Sequence, residues 1–128
     1  MDQSIQYTPL KEDEVLEQGQ GPLMSGTVVH NGLVYLSGKG ARGVKDIREA
    51  AKQVLDRIEA DLAEAGSSIH RVLKVTVFLD DLNDFSAMNE MYRGRFGENP
   101  PVRSTVATYA GIPGDSIIEI DCIAALNE

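Results

Sequence analysis

The chain has 128 residues, which is long enough for one hydrophobic core but too short for two ordinary domains. Its formal net charge of −8 disfavours binding to nucleic-acid phosphates, and no apolar run of about 18 residues predicts a membrane span. Cys122 is the single cysteine, which excludes an internal disulfide, and the polar N-terminus lacks the apolar core of a signal peptide. We therefore expect one domain over residues 1–128, located in the cytoplasm.

The first elements predicted along the chain are a hairpin and a long helix. Residues 27–38, TVVHNGLVYLSG, contain two apolar runs around an Asn-Gly pair, which favours the left-handed dihedral angles of a tight hairpin turn. Residues 46–66 predict an amphipathic helix that Asp46 can cap and Gly66 can end. Its apolar residues recur every three or four positions between charges. They are Ile47, Ala51, Val54, Ile58, Leu62 and Ala65.

The second half of the chain predicts three strands and another helix. Residues 71–81 are rich in β-branched side chains and predict a largely buried strand. A helix follows, with Asp84 as its cap and Gly97 as its stop. Residues 102–109 and 116–126 predict the last two strands, joined by a Gly/Pro loop. The apolar stripe of the helix predicted between Asp84 and Gly97 consists of Phe85, Met88, Tyr92 and Phe96.

The predicted element order is β-β-α-β-α-β-β. Two helices and several strands pack most economically as a mixed β-sheet with both helices on one face, which is an α+β fold. The other face of the sheet then needs a cover. In a chain of this size, self-association is a natural way to provide one.

Three segments carry a resemblance to a known family. VTVFLDDLNDFSAMNEMY, PVRSTV and IPGDSIIEIDCIA together resemble the reactive intermediate deaminase family, also called RidA or YjgF and labelled endoribonuclease L-PSP. The similarity runs from about residue 21 to residue 126. It implies a chorismate-mutase-like α+β fold and a homotrimer with ligand clefts between subunits. It also implies hydrolysis of 2-imino acids, such as 2-iminobutanoate and 2-iminopropanoate, to 2-oxo acids and ammonia.

Arg103 stands at the start of a strand that is otherwise uncharged through Tyr109. A guanidinium presents a planar fork that binds a carboxylate through two parallel hydrogen bonds, and a strand end is a rigid mount for it. The resemblance implies that Arg103 binds the substrate carboxylate. The alternative is an edge-strand charge that discourages aggregation, or one half of a structural ion pair.

Glu119 is the candidate for activating water. The period of two in SIIEIDCIA places Glu119 and Asp121 on one face of the strand and the apolar residues on the other. A carboxylate can orient a water molecule and accept its proton, and the resemblance assigns this role to Glu119. Asp121 is interpreted as a solvated charge. Because a slip of one residue would exchange the faces, the sequence leaves open whether Arg103 and Glu119 share a face.

Two further residues match ligand-contacting positions of the family. Asn89 lies four residues after Phe85 and therefore falls on the apolar stripe of the helix. A buried amide must be hydrogen-bonded, either to a neighbouring loop or to a ligand. Gly38 ends the YLSG strand, where the bare backbone allows a ligand to approach closely.

Three other positions in the resembled site depart from the family pattern. Leu23 stands where many members have tyrosine, Lys39 where many have glutamine, and Thr105 where many have cysteine. Thr105 can still donate a hydrogen bond to a carboxylate, but it cannot act as a thiol. Leu23, Lys39, Thr105, Gly38 and Asn89 are the predicted substrate-binding residues beside Arg103.

The residue types exclude several other chemistries. The two histidines and one cysteine form no zinc-binding spacing, and neither a nucleophile elbow nor a phosphate-binding loop is present, so no metal or cofactor is expected. One alternative function is a non-catalytic trimeric binder of small carboxylates. The other is a ribonuclease or translation inhibitor, which the acidic charge and the 5% aromatic content disfavour.

Overall fold

The computed structural model describes residues 4–17, 19 and 21–128. These residues form six strands and two α-helices. In chain order they are β1 (Gln6–Pro9), β2 (Ser25–His30), β3 (Leu33–Gly40), α1 (Ile47–Glu64), β4 (Val72–Leu79), α2 (Phe85–Tyr92), β5 (Val102–Ala107) and β6 (Ile118–Ala125). None of the helices in the described part of the chain is long and apolar enough to cross a membrane.

The six strands form one mixed sheet in the order β1-β2-β3-β6-β4-β5. The pair β4-β5 is parallel, and the other neighbouring pairs are antiparallel. Both helices pack on one face, as the sequence predicts. The strand β1 was not predicted, because all four of its residues are exposed and it lacks an apolar alternation.

The hairpin between β2 and β3 turns where the sequence predicts. Asn31 and Gly32 have φ values of 50° and 77°, the left-handed conformation that a two-residue turn requires. The turn pairs His30 with Leu33 and sets the register of both strands.

Helix α1 supplies more of the buried core residues than any other single element. The carboxylate of Asp46 accepts a hydrogen bond from the Glu49 N–H at 3.1 Å, which confirms the predicted cap. Gly66, with φ of 87°, follows the end of the helix. The apolar side of α1 packs on β3 and β6, and burial alternates along β6.

Helix α2 is shorter than predicted, and its N-terminus differs from the prediction. It ends at Tyr92, where Arg93 (φ −57°, ψ 128°) and Gly94 (φ 83°) form a type II turn. The expected extension to Gly97 is therefore wrong, although Phe96 is still buried beyond the helix. Asp84 precedes the helix, but its side chain makes no capping hydrogen bond.

Candidate active site

Arg103 lies on the face of the sheet that the helices cover. It is level with Val75 of the parallel neighbour β4, and Val75 is buried in the core. The guanidinium carbon lies 4.5 Å from the ring centroid of Tyr92 and 5.7 Å from that of Phe85. These cation–π contacts hold the guanidinium in place. No carboxylate among the described residues pairs with it.

A cavity of about 290 Å³ adjoins this arginine. Helix α2, the turn after it and the approach to β5 form its walls. The burial of Tyr92 raises the pKa of its hydroxyl, and the nearby charge of Arg103 opposes that rise. The lining residues used below are Asn89, Tyr92, Arg93 and Arg103.

The buried polar atoms without a partner among the described residues include three near Arg103. They are the Asn89 Oδ1, the Tyr92 hydroxyl oxygen and the Thr105 Oγ1. Thr105 lies two residues after Arg103 and therefore on the same face of β5. Buried polar atoms are almost always hydrogen-bonded, so these atoms are candidates for contact with a ligand, and Asn89 and Tyr92 line the cavity.

Glu119 lies on the uncovered face of the sheet. Its neighbours Ile118 and Ile120 are fully buried beneath the helices, so Glu119 faces the other way. Burial raises the pKa of its carboxyl, and the negative charge of Asp121 raises it further. A carboxylate with a raised pKa is a stronger base than an ordinary one, which suits proton transfer from water.

Gly38 makes room for the Glu119 side chain. A Cβ atom at Gly38 would lie 2.5 Å from the Glu119 Oε2 and 2.6 Å from its Cδ, so only glycine fits against the carboxylate in this position. Both residues line a cavity of about 460 Å³, which Ser116, Arg42 and other side chains also line. Gly38 therefore lies beside Glu119.

The register of the sheet separates Arg103 from Glu119. Arg103 is level with Val75 of β4, and Glu119 is level with Phe78 of the same strand. Positions three apart on a strand point to opposite faces. Within one chain the two side chains therefore enter different cavities, which answers the question that the sequence leaves open.

Lys39 lies at neither of these cavities. A bulge between Leu36 and Lys39 turns its side chain to the helix-covered face, where it is 2% exposed. Its Nζ lies 2.6 Å from the Glu14 Oε2 and 3.3 Å from the Asp61 Oδ2. The structure thus places Lys39 in a buried ion-pair network and does not bring it to Glu119 or Arg103.

Leu23 also stays apart from both cavities. It is 76% exposed and lines neither the Arg103 cavity nor the Glu119 cavity. Of the predicted substrate-binding residues, Asn89 and Thr105 lie near Arg103, and Gly38 lies against Glu119.

The sequence did not single out Arg93, which lines the Arg103 cavity. It also assigned Tyr92 and Phe85 to packing alone, although both rings contact Arg103. Two aromatic side chains seven residues apart on one helix, together with an arginine on a strand, were the sequence signal that could have predicted these contacts.

The described residues include neither a group that could bind a metal ion nor a reactive thiol. No group of three His, Cys, Asp or Glu side chains in this part of the chain could hold a metal ion. Cys122 is buried, and burial raises the pKa of its thiol to about 12, so the reactive thiolate is suppressed.

Comparison with known proteins identifies the family. The model of the family described as endoribonuclease L-PSP matches residues 19–126. The chain belongs to this family. A solved structure of a YjgF-family protein from Neisseria meningitidis superposes with a TM-score of 0.81 at 28% identity, covering 98% of this chain and 97% of that one.

Two curated relatives differ in how much of their length is similar to this chain. A RutC family protein of Pyrococcus abyssi is 49% identical over 79 residues, which span 62% of this chain and only 61% of that protein. The 2-iminobutanoate/2-iminopropanoate deaminase of Escherichia coli is 34% identical over 108 residues, 82% of this chain and 84% of that protein. The likeness to the Escherichia coli protein, together with the family, supports a deaminase type of function.

Proposed function

We propose that this protein hydrolyses 2-imino acids of the 2-iminobutanoate and 2-iminopropanoate type to 2-oxo acids and ammonia. The observation that carries the proposal is the unpaired Arg103 guanidinium, held against Tyr92 and Phe85 at the edge of a cavity. In a chain with 20 acidic and 12 basic residues, an arginine without a carboxylate partner is available for an anionic ligand.

Arg103 binds the substrate carboxylate in this proposal. The planar fork matches the two carboxylate oxygens, and the stacked rings fix its orientation. The Thr105 hydroxyl donates a further hydrogen bond to the carboxylate. The Asn89 Oδ1 accepts a hydrogen bond from the imine N–H, so the Asn89 and Thr105 atoms each gain a partner.

Glu119 activates the water. It accepts a proton as the water oxygen bonds to the imine carbon, and it passes that proton to the nitrogen as the C=N bond becomes a C–N single bond. The hydroxyl proton of the resulting carbinolamine then passes through Glu119 to the amine, the C–N bond breaks, and ammonia leaves as the carbonyl forms. One water is consumed and no other reactant is needed.

The two residues come from different subunits in this proposal. Because Arg103 and Glu119 face opposite sides of one sheet, a small imino acid reaches both only at a boundary between copies. The uncovered face offers exposed apolar side chains for such a boundary. They are Tyr7, Tyr35, Val102 and Val106. We propose a homotrimer with one shared cleft at each boundary.

A coupled assay tests the proposed reaction. Threonine dehydratase releases 2-iminobutanoate, and semicarbazide captures the imine that has not yet been hydrolysed. Adding this protein should speed 2-oxobutyrate formation and reduce semicarbazone formation in proportion to its concentration. A non-catalytic carboxylate binder would bind 2-oxobutyrate and leave both rates unchanged, and that result would overturn the proposal.

A further inference from the structure

Arg93 is placed by the turn that ends α2. The N–H of Arg95 donates to the carbonyl of Tyr92 at 3.1 Å and closes the type II turn, with Arg93 and Gly94 at its centre. Only a residue such as Gly94 adopts its φ of 83° without strain, so the Arg-Gly pair defines this turn. The turn brings Arg93 to the cavity that Arg103 also lines.

Arg93 is unpaired, although acidic residues outnumber basic ones in this chain. Its neighbour Arg95 contacts both Asp56 and Glu59, and most other described cations also have a carboxylate partner. Arg93 pairs with no carboxylate among the described residues. Two arginines without a carboxylate partner, the exposed Arg93 and the partly buried Arg103, therefore line one cavity of about 290 Å³.

Two cations at one cavity repel each other unless anions compensate them. A ligand with a single carboxylate compensates Arg103 and leaves Arg93 unmatched. A ligand with two carboxylates can compensate both, and each guanidinium can bind its carboxylate through paired hydrogen bonds.

We propose that the preferred substrate is a 2-imino dicarboxylic acid, with Arg103 on the carboxylate beside the imine and Arg93 on the side-chain carboxylate. This inference rests on the proposed function and names its substrate class. The reaction that supplies such a substrate is the two-electron oxidation of an acidic amino acid by a nicotinamide- or flavin-dependent enzyme.

Calorimetric titration with two product-class ligands tests the inference. The dicarboxylate 2-oxoglutarate and the monocarboxylate 2-oxobutyrate are titrated into wild type, Arg93→Gln and Lys52→Gln at one ionic strength. Lys52 is the matched control, because it is an exposed cation on α1 that pairs with Asp56 and lines neither cavity. Lys52→Gln changes the net charge by the same amount as Arg93→Gln.

We expect Arg93→Gln to weaken the binding of the dicarboxylate selectively. Wild type should bind 2-oxoglutarate more tightly than 2-oxobutyrate, and Arg93→Gln should weaken 2-oxoglutarate binding by roughly 10-fold, as for a lost charged hydrogen bond. It should change 2-oxobutyrate binding less than about twofold, and Lys52→Gln should change neither by more than that. Equal affinities of wild type and Arg93→Gln for 2-oxoglutarate, or an equal loss for both ligands, would overturn the inference.

Arg103→Ala separates this inference from the proposed function. If Arg103→Ala abolishes binding of both ligands while Arg93→Gln changes neither, carboxylate binding by Arg103 stands and the dicarboxylate preference is wrong. If Arg103→Ala leaves both affinities unchanged, the proposed function fails and the dicarboxylate inference fails with it.

Discussion

Arg103 and Glu119 lie on opposite faces of one sheet, with only β4 between their strands. Arg103 is level with Val75, which the helices bury, and Glu119 is level with Phe78 on the uncovered side. A substrate with a carboxylate and an imine a few atoms apart cannot reach through the sheet. The proposed chemistry therefore needs two copies of the chain.

Mixing two inactive variants tests this requirement. Arg103→Ala and Glu119→Gln should each be nearly inactive, because each removes one half of every shared site. When they are unfolded, mixed in equal amounts and refolded, about one quarter of the sites in a cyclic oligomer should hold both intact residues. Activity should recover to about that fraction of wild type.

The controls for the mixing experiment are the two variants refolded separately. Light scattering on the same samples should give three times the mass of the chain. No recovery on mixing, in samples that form trimers, would show that Arg103 and Glu119 do not share a site across a boundary. A stable monomer would remove the boundary altogether.

Glu119→Gln should lose most of the rate and keep 2-oxobutyrate binding. The amide has nearly the shape of the carboxyl but cannot accept the proton of water. The folded state raises the pKa of Glu119, so ionising it at neutral pH destabilises the fold. Thermal unfolding should therefore show Glu119→Gln more stable than wild type at pH 7. The difference should vanish at acid pH, below the ordinary carboxyl pKa, where Glu119 is protonated in both states. Unchanged turnover would end the water-activation role.

The acid limb of the pH profile gives an independent check. The base form of Glu119 is lost as pH falls through its pKa. Burial is the larger cause that raises this pKa above its ordinary value, and the charge of Asp121 is the smaller. Asp121→Asn removes the second cause, so the fall in rate should move to lower pH. Glu98→Gln, which removes an exposed acid between α2 and β5, should leave the acid limb in place.

The sequence predicted most of the fold, because its elements are strongly patterned. The hairpin, α1 and the alternation of β6 each follow from local spacing. The strand β1 carries no such pattern, since its residues are exposed and its partner is remote in sequence. The early end of α2 depends on the turn at Arg93-Gly94, which competes with the continuing apolar stripe.

The site was less predictable because a bulge cannot be read from local sequence. The step from Leu36 to Lys39 covers three residues of β3 but pairs with a step of only two residues on β6. Leu36 and Lys39 therefore lie on the same face, although strict alternation would place them on opposite faces. Lys39 was predicted to bind substrate from its position in the family pattern. The same bulge places Gly38 against Glu119 and turns Lys39 into the core.

Lys39→Met tests whether Lys39 is structural. Removing one partner of a buried ion pair costs about 3–5 kcal/mol, so denaturant unfolding should show a loss of about that size. Adding Glu14→Gln should recover part of it by removing a carboxylate that has lost its partner. Turnover per folded molecule should stay near wild type. A stable Lys39→Met variant with weak 2-oxobutyrate binding would instead support substrate contact.

Gly38→Ala tests the placement of the Glu119 carboxylate. The added methyl would lie 2.5 Å from the Oε2, so the Glu119 side chain must move away. A displacement on this scale should lower turnover by roughly 10- to 100-fold. Gly19→Ala is the matched control, since a Cβ there meets nothing within 4 Å. Equal turnover of both variants and wild type would show that catalysis does not depend on the Glu119 carboxylate in this position.

Arg103 is tested by a series of three proteins. Arg103→Ala should weaken 2-oxobutyrate binding by roughly 2–5 kcal/mol, the range for removing one partner of a buried charge pair. Arg103→Lys should recover only part of this, because an ammonium carries charge without the planar fork and stacks less well on Tyr92. An edge-strand charge that only prevents aggregation predicts nearly equal binding in all three proteins, with more aggregation in Arg103→Ala. Titration calorimetry separates the two roles, and equal affinities would leave Arg103 a structural residue.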